Sequence, residues 1–477
     1  STMNLLTDKW IPIIHNNQFQ FITLENVLCQ TQNWQLSLPR DDMELAACQL
    51  MICLVQAIFT PKDKDELKQR VAQPLTPDEY QTGLQNYLEL FDLNHPTHPF
   101  MQTRGVKAEK ITPIQKLFIG LPEGNNHAFF NEVGEMSAVP AAWVAIALFN
   151  QASNCPSFGG GFKGSLRGEA PITTLIQGKT LREMLWFNVL TQDNIKRFLF
   201  PAEQDIPVWR EPIKKDSTIY AHQIGLLRGL FWQPAHVELF WHQDKTCEGF
   251  NKEKFTYTIE GLWAHPHSPR IIETKQGKKK ERFLSFKNMA PAWTQLSQFL
   301  SELTTKKGGH IPAAVVTQYR EIFRDEPLNL LVGGYRNKQA SVLQRRHEIL
   351  SLAAGWTENM EMIQEFIEIA LKMKTLLTGA LFGFSKTAGL PNLSPIAEER
   401  FYQDSEVIIH GLLQCKKFGW RERKDAREDL FKELEKVVTN LFDEITRPYQ
   451  HEPKMLKALA IQKRKLYGAL KKENPQA

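Results

Sequence analysis

The chain has 477 residues, of which 42% are hydrophobic and 23% are charged. These values are ordinary for a globular protein and supply enough apolar surface for a sizeable core, which excludes a disordered protein. The longest apolar run is far shorter than the roughly 20 residues that span a bilayer, so no membrane partner is expected. The net charge of +5 is small, so any nucleic-acid surface must come from local clusters of basic residues.

Two further features of the sequence indicate a cytoplasmic protein. Asp8 and Lys9 closely follow Met3, where a secretory signal peptide would need an apolar stretch. The six cysteines are scattered and none forms a C-x-x-C pair, so we expect neither a disulfide framework nor a zinc ribbon. Such cysteine usage is typical of a reducing compartment.

Up to about residue 350, patterns typical of short strands alternate with helices and with loops rich in proline and glycine. Asp41 is a candidate N-cap with Glu44 at the capping-box position, and the apolar segment 45–59 predicts a buried helix after it. Alternating apolar and β-branched residues between turn residues predict the strands. The predicted strands are 10–14 and 19–23 across the turn Asn16-Asn17, then 254–259, then 271–275 and 282–286 around Gly277.

The last quarter of the chain carries helical apolar spacing in four successive segments. The predicted helices are 360–384, 395–415, 421–445 and 453–472, and Leu430, Leu434, Val437, Leu441 and Ile445 form the clearest apolar stripe. Short breaks between amphipathic helices are typical of a bundle. The predicted fold class is therefore α+β, with a mixed N-terminal domain (3–352) of short strands and helices and an all-α C-terminal four-helix bundle (358–477).

Motifs of catalysis are absent or incomplete. In the glycine-rich segment 158–165 the lysine precedes the final glycine, so the segment does not match a phosphate-binding loop. His265 and His267 could ligate a metal, as could His95 and His98, but no third ligand is spaced to join either pair. We therefore expect no enzyme, no metal and no cofactor, and a nuclease acting through these histidines is the alternative.

A run of three glycines offers a first candidate binding feature. Without β-carbons, Gly159-Gly160-Gly161 lets its backbone approach a partner closely. Lys163 and Arg167 lie in the same segment, so a phosphate backbone or a groove of a nucleic acid would suit it. A tight turn packed against its own core is an equally good interpretation.

Residues 333–341 form a second candidate, a polar stretch followed by Arg345 and Arg346. Asparagine, glutamine and arginine read base edges, and small residues enter a groove. An ordinary surface loop is the alternative here.

The last predicted helix forms a third candidate, because Lys457, Arg464 and Lys471 recur every seven residues. At 1.5 Å per residue they form a basic stripe roughly 20 Å long, which could follow several phosphates. A solvated helix face is the commoner explanation for such a stripe, and for the lysines at 278–280 as well.

Taken together, seven segments resemble the CasA family, the large subunit of the type I-E CRISPR surveillance complex Cascade. They appear in the family's order and cover nearly the whole chain: 4–12, 38–45, 98–102, 158–163, 228–236, 265–269 and 333–341.

This resemblance implies a non-catalytic subunit that recognises the protospacer-adjacent motif (PAM) in double-stranded target DNA and helps to open the duplex. It implies further contacts with the 5′ handle of the guide RNA and with the backbone, small and handle-binding subunits. A helicase-nuclease recruited in trans would cut the DNA. The same division of labour holds for another RNA-guided effector, in which the protein reads only a short motif. A purely architectural subunit is a further alternative.

The resemblance also assigns roles to individual residues. The family's glycine loop, lysine finger and wedge correspond to Gly159, Gly160 and Gly161, to Lys254, and to Gln339 with Ala340. Minor-groove readout is degenerate, so several PAM sequences should be tolerated. Lys338 stands where other members can carry asparagine, so a phosphate contact could replace a polar reader and change the PAM preference.

Two other features carry implications from the resemblance. The loop that contacts the guide RNA corresponds to 126–131, where Phe129 would stack on a splayed base and Asn131 would hydrogen-bond to the RNA. Some members carry a cysteine cluster before the lysine finger, but only Cys247 lies there in this chain, so no zinc is expected.

Overall fold

The computed structural model describes residues 3–118, 139–202, 205–243, 246–416, 420 and 423–475. The chain divides into two compact units. The mixed unit contains Ser1–Lys287, Gln298–Ile322 and Leu330–Ile349, and the helical unit contains Asn288–Ser297, Phe323–Asn329 and Leu350–Ala477. Within the described ranges, no helix is long and apolar enough to cross a membrane.

Most of the described strands are short, and together the described strands form five sheets. They are β1 (Ile11–His15), β2 (Gln18–Ile22), β3 (Gln35–Leu36), β4 (Thr112–Pro113), β5 (Val139–Pro140), β6 (Thr173–Ile176), β7 (Ser217–Tyr220), β8 (Ala235–His242), β9 (Thr246–Lys254), β10 (Tyr257–Glu260), β11 (Arg270–Lys275), β12 (Lys278–Phe283), β13 (Leu303–Thr305), β14 (Gly308–Ile311), β15 (Leu328–Lys338) and β16 (Ser341–Leu352). The strand orders are β2-β1-β3, β10-β7, β12-β11-β14-β13, β16-β15-β6, and β4-β9-β5 with β8 beside β9.

The core of the mixed unit lies around two helices, α2 and α5, which pack against each other and are buried on nearly all sides. The helices before the C-terminal bundle are α1 (Leu24–Cys29), α2 (Asp41–Ile58), α3 (Lys64–Ala72), α4 (Pro77–Leu84), α5 (Ala141–Ser153), α6 (Leu181–Phe187), α7 (Gln192–Phe198), α8 (Leu226–Leu230), α9 (Leu296–Leu300) and α10 (Ala314–Ile322). The apolar segment that follows Asp41 thus forms the predicted buried helix.

The predicted cap of α2 is wrong. Arg40 occupies the N-cap position and Asp41 is already the first helical residue. Glu44 accepts a hydrogen bond from the amide of Leu38 at 3.4 Å, outside the helix, so no capping box forms. The carboxylate of Asp41 instead accepts a hydrogen bond from Arg345, a tertiary contact that local sequence could not indicate.

Both predicted hairpins are present, but the predicted strand between them is wrong. The first hairpin turns at Asn16 and Asn17 with φ angles of 51° and 62°, the left-handed conformation that two-residue hairpin turns require. β11 and β12 turn in the same way at Gln276 and Gly277. Segment 254–259 does not form one strand, because β9 pairs with β8 and β10 pairs with β7 in a different sheet.

The helical unit contains four long helices, α11 (Met360–Ala388), α12 (Ser394–Leu413), α13 (Arg423–Thr446) and α14 (Pro453–Glu473). Their bounds lie within a few residues of the predicted ones. Gly389, with φ 69°, ends α11 in the left-handed conformation common after helices. On α13, Val438 rather than the predicted Val437 is buried with Leu430, Leu434 and Leu441. The predicted α+β class, strand-rich and then helical, is confirmed.

Candidate nucleic-acid interface

The three glycines form a loop whose consecutive left-handed conformations glycine adopts more readily than any other residue. Gly159, Gly160 and Gly161 have φ angles of 83°, 55° and 88°, all in the left-handed region. The amide of Phe162 donates to the carbonyl of Gly159 at 3.1 Å and closes the turn. No atom lies within 4 Å of the position that a β-carbon on Gly160 would take, so the tip of the loop is open.

Arg167 holds the base of this glycine loop and does not point outward. Its guanidinium is buried and donates hydrogen bonds only to neutral oxygens, those of Ser153, Asn154, Thr173 and Ser268, at distances of 2.7–3.0 Å. Burial lowers its pKa to about 9. The prediction that Arg167 meets a nucleic-acid phosphate is therefore wrong, because its donors are used to tie the loop to the core.

The structure places Lys254 against the glycine loop. Lys254 is the last residue of β9, where it pairs with Ala235 of β8, and its side chain is exposed. A β-carbon on Gly161 would lie only 3.0 Å from its Nζ atom. The lysine and the loop, which are about 90 residues apart in sequence, thus form one surface.

The predicted wedge is the tip of the long β15–β16 hairpin, and it lies against the other end of the glycine loop. Gln339, with φ 52°, and Ala340 form the two-residue turn, and they are exposed together with Lys338. Asn337 stabilises the turn by donating to the carbonyl of Gln339 at 2.7 Å. A β-carbon on Gly159 would lie 3.2 Å from that of Ala340.

The root of this hairpin is fixed in the core by a buried hydrogen-bond network. The hydroxyl of Tyr335 donates to Asp42 at 2.5 Å and accepts from Asn150 at 2.8 Å. Asp42 also accepts two hydrogen bonds from Arg40, at 3.0 and 2.8 Å. Burial and the Asp42 carboxylate raise the pKa of Tyr335 well above its usual value, so the tyrosine stays a donor at neutral pH. The hairpin tip is therefore held firmly by the core.

The two arginines after the tip are not free to read bases. Arg345 pairs with Asp41 at 2.8 Å, and Arg346 pairs with Glu348 at 2.6 Å. The guanidinium of Arg346 also lies 4.3 Å from the ring centroid of Phe286. Their charges are neutralised within the protein, so of the predicted polar stretch only the tip remains available.

Sequence reasoning missed Lys252, which lies two residues before Lys254 on the same face of β9. Its Nζ atom is 5.0 Å from the ring centroid of Phe158 and 4.8 Å from that of Phe162, the two phenylalanines that flank the glycine loop. Burial and the charge of Lys116 lower the pKa of Lys252. Contacts of this kind hold both ends of the loop. The strand period of two, counted back from Lys254, was the signal that could have found it.

One histidine motif is buried, and the other caps a turn. His265 and His267 are buried with ring centroids 4.9 Å apart. Burial and the nearby Arg167 charge hold the pKa of His265 well below its usual value and lower that of His267 to about 3. His95 caps a turn by accepting hydrogen bonds from the backbone amides of Thr97 and His98. None of these rings is arranged to attack DNA.

Cys247 is also buried, and its Sγ lies 3.4 Å from the carbonyl of Gly249, to which it donates. Burial raises its pKa to about 12. Among the described residues, no group of three histidine, cysteine, aspartate or glutamate side chains could hold a metal ion. Phe129 and Asn131, the predicted contacts with guide RNA, lie outside the described residues.

On α14 the three predicted cations, Lys457, Arg464 and Lys471, are all exposed. The opposite face buries Ala458, Leu466 and Leu470. The helix carries seven lysine and arginine residues and one acidic residue, which lies in its last turn. The charges of α14 alone therefore make its surface strongly positive.

Comparison with known proteins identifies the family. The family model described as "CRISPR-associated protein Cse1" matches residues 4–467. This chain belongs to the Cse1 family. It is 23% identical over 393 residues to CasA/Cse1 of Thermus thermophilus, covering 78% of this chain and 74% of that protein.

Solved structures of the Cse1 family share the fold. Thermobifida fusca Cse1 superposes with a TM-score of 0.78 at 18% identity, over 100% of this chain and 99% of that chain. A crystal structure of Thermus thermophilus CasA gives 0.76 at 19% identity, over 98% and 99% of the two chains. A chain of a structure described as a CRISPR RNA-guided surveillance complex gives 0.70 at 16% identity, over 98% and 99%. These likenesses establish the α+β architecture for the whole chain.

Proposed function

We propose that this Cse1-family chain is the non-catalytic large subunit of an RNA-guided surveillance complex and recognises the PAM in double-stranded DNA. The observation that carries this proposal is the meeting of three remote segments on one surface. Lys254 lies beside Gly161 of the glycine loop, and Ala340 lies beside Gly159. Family membership supports it, as does the similarity to a chain of a solved surveillance complex.

The surface suits a minor groove, which is about 6 Å wide and admits few side chains. A loop without β-carbons can lie along such a groove while Lys254 donates to the acceptors on its floor. These acceptors barely distinguish A·T from T·A, so several PAM sequences are tolerated. Lys338, beside the tip, adds a contact to a phosphate.

Opening of the duplex is assigned to Gln339 and Ala340. A side chain inserted between base pairs must offset an unstacking cost of a few kcal/mol per step. The tip can do so because Tyr335, Asp42 and Asn150 anchor its root in the core. Once the pairs part, the guide RNA pairs with the target strand.

The remaining contacts of the complex complete the proposal. The exposed Lys457, Arg464 and Lys471 would follow a DNA backbone, and Phe129 and Asn131 would meet the 5′ handle of the guide RNA. Backbone, small and handle-binding subunits would hold the chain in place in the cytoplasm, without a cofactor. A helicase-nuclease recruited in trans would cut the target. A nuclease acting through His265 and His267 finds no support, because both rings are buried and uncharged.

The decisive experiment compares Gln339→Ala with wild type in the reconstituted complex, by gel shift at one salt concentration. We expect the variant to bind a PAM duplex roughly 10- to 100-fold more weakly, the range that a cost of a few kcal/mol per step implies. A target melted at the PAM-proximal pairs should bind within about twofold of wild type, because no unstacking remains to be offset.

Gln276→Ala is the matched control, because Gln276 is the exposed first residue of another two-residue hairpin turn, with φ 53° against 52° for Gln339. It should behave as wild type on both targets. If Gln339→Ala also binds both targets as wild type does, the tip is no wedge and the chain is an architectural subunit.

A further inference from the structure

A cavity of about 570 Å³ opens beside Lys254, on the side of the glycine loop away from the hairpin tip. Its volume lies in the range of small-molecule sites. Part of its wall is aromatic: Phe162 of the loop and Phe255 both line it. The ring centroids of His236 and Phe255 lie 3.7 Å apart with the ring planes at 32°, and Phe255 is buried, so Phe162 and His236 offer the surfaces on which a planar group could stack.

Three charged side chains line the same cavity. Lys215, Lys254 and Glu253 are exposed and none of them forms an ion pair with a described residue, and the Nζ atom of Lys254 lies 5.7 Å from the ring centroid of Phe162. Exposed charged groups that line a cavity and form no ion pair mark it as a site for a ligand. Such a ligand would carry both an anionic group and a hydrogen-bond donor. A nucleotide does so: its phosphate pairs with lysine, and the exocyclic amine of cytosine or adenine donates to a carboxylate.

The cavity also lies within reach of the place where the duplex would open. A β-carbon on Gly159 would lie 3.2 Å from that of Ala340, and one on Gly161 would lie 3.0 Å from the Nζ atom of Lys254. Consecutive α-carbons are 3.8 Å apart, so Gly159 and Gly161 are separated by roughly 8 Å at most. The hairpin tip and the rim of the cavity are therefore at most about 17 Å apart, a distance that the first few nucleotides of a strand can span.

We propose that this cavity binds one nucleotide turned out of the DNA duplex next to the hairpin tip. The proposal rests on the proposed function and adds a specific site to it. Capture of the unstacked nucleotide would keep the opened pair from closing again, as in enzymes that hold an extruded base in a pocket. Stacking on Phe162 or His236 tolerates any base, whereas Glu253 favours a base with an exocyclic amine.

The test blocks the cavity and removes the base in the same experiment. Thr256 is an exposed residue of the cavity wall, so Thr256→Trp fills the cavity without entering the core. Thr258→Trp, two residues along and outside the cavity, is the matched control. Each complex is titrated with PAM duplexes that are intact or carry one abasic site at each of the first positions beyond the PAM, on either strand.

At one position we expect the abasic site to weaken wild-type binding by about 5- to 150-fold, as the loss of one base–aromatic stack would. Thr256→Trp should weaken binding of the intact duplex by the same factor. The two losses should not add when combined, which is the signature of groups that contact each other. Additive losses at every position, or wild-type affinity for Thr256→Trp, would refute the proposal.

Two further arms separate the remaining possibilities. Free deoxymononucleotides at millimolar concentration report whether the site takes a free nucleotide instead: saturable binding without any coupled position would overturn the assignment to DNA. Lys215→Gln changes an exposed side chain and cannot unfold the core. If the phosphate contact exists, this change should reduce the slope of log K against log salt concentration by roughly 0.7–0.9. If wild type itself does not prefer a PAM duplex, the proposed function fails, and the mononucleotide arm alone then decides whether the cavity is a nucleotide site.

Discussion

The two surfaces that we propose to contact nucleic acid are built in opposite ways. The surface of the mixed unit joins the glycine loop, Lys254 and the tip of the β15–β16 hairpin, and few charges contribute to it. The surface of α14 is a single helix that carries seven basic residues, of which Lys457, Arg464 and Lys471 share one exposed face. Shape and anchoring dominate the first, which favours recognition of one local structure. Charge dominates the second, which favours contact with any phosphate backbone.

The largest expected effect tests whether shape governs the first surface. Gly159→Val adds a branched side chain where φ is 83° and where even a β-carbon would lie 3.2 Å from that of Ala340. We expect the hairpin tip to be displaced and the affinity for a PAM duplex to fall roughly 100-fold, while a pre-melted target still binds. Gel shifts of the reconstituted complex on both targets measure the difference.

Gly105→Val is the control for backbone strain. Gly105 has φ 75°, and nothing lies within 4 Å of the position of its β-carbon. This variant should lose stability but keep its affinity for DNA. Equal losses of affinity in the two variants would mean that strain alone, not contact with the hairpin tip, explains the result.

The second prediction concerns charge on α14. Replacing Lys457, Arg464 and Lys471 by glutamine should weaken binding to every DNA sequence equally. It should also reduce the slope of log K against log salt concentration by about 2–3. Between 50 and 200 mM salt, wild type should then lose about 20- to 40-fold more affinity than the variant. The matched control replaces the three exposed lysines at 278–280, which changes the net charge by the same amount. Equal effects of both variants would show that net charge, and not this helix, is responsible.

The third prediction concerns the pH dependence of the stability of the mixed unit. His265 and His267 are buried and neutral, with the pKa of His267 lowered to about 3. In the unfolded chain a histidine binds a proton near pH 6.5, so the stability of the mixed unit is complete above that pH and falls as the pH drops towards 3. At pH 5.5 each ring should reduce the free energy of unfolding by about 1.4 kcal/mol, a factor of ten.

Urea unfolding of the mixed unit at pH 7.5, 6.5 and 5.5, followed by hydrogen exchange, measures this dependence. His267→Gln should lower stability at pH 7.5. The fall in the free energy of unfolding between pH 7.5 and 5.5 should be smaller than in wild type by the contribution of one histidine. His222→Gln, a change at an exposed ring, should leave the dependence as in wild type. A wild-type stability that stays constant down to pH 5.5 would contradict the burial of neutral rings.

The contrast between the surfaces also explains what could be predicted from the sequence. Hairpin turns, the glycine run and the basic helix face depend on residues close together in the chain, so period and turn chemistry indicate them. The partners of Arg167 and Arg345 do not follow from such patterns: Arg345 meets Asp41 across more than 300 residues. Both arginines were candidate contacts with nucleic acid, and only the tertiary structure shows that the protein itself uses them.

The fourth and smallest effect concerns Lys252, whose contact with the glycine loop appears only in the tertiary structure. Removing its charge with Lys252→Met keeps the length of the side chain but removes the attraction to the rings of Phe158 and Phe162. Since one such contact contributes about 1 kcal/mol, we expect the affinity for a PAM duplex to fall about fivefold. Lys252→Arg, which retains the cation over the rings, should restore most of it. If Lys252 instead binds a phosphate directly, Lys252→Met will reduce the slope of log K against log salt concentration by about 0.9, and the glycine loop will keep its conformation. A salt titration of both variants therefore decides whether this lysine positions the glycine loop or contacts the DNA.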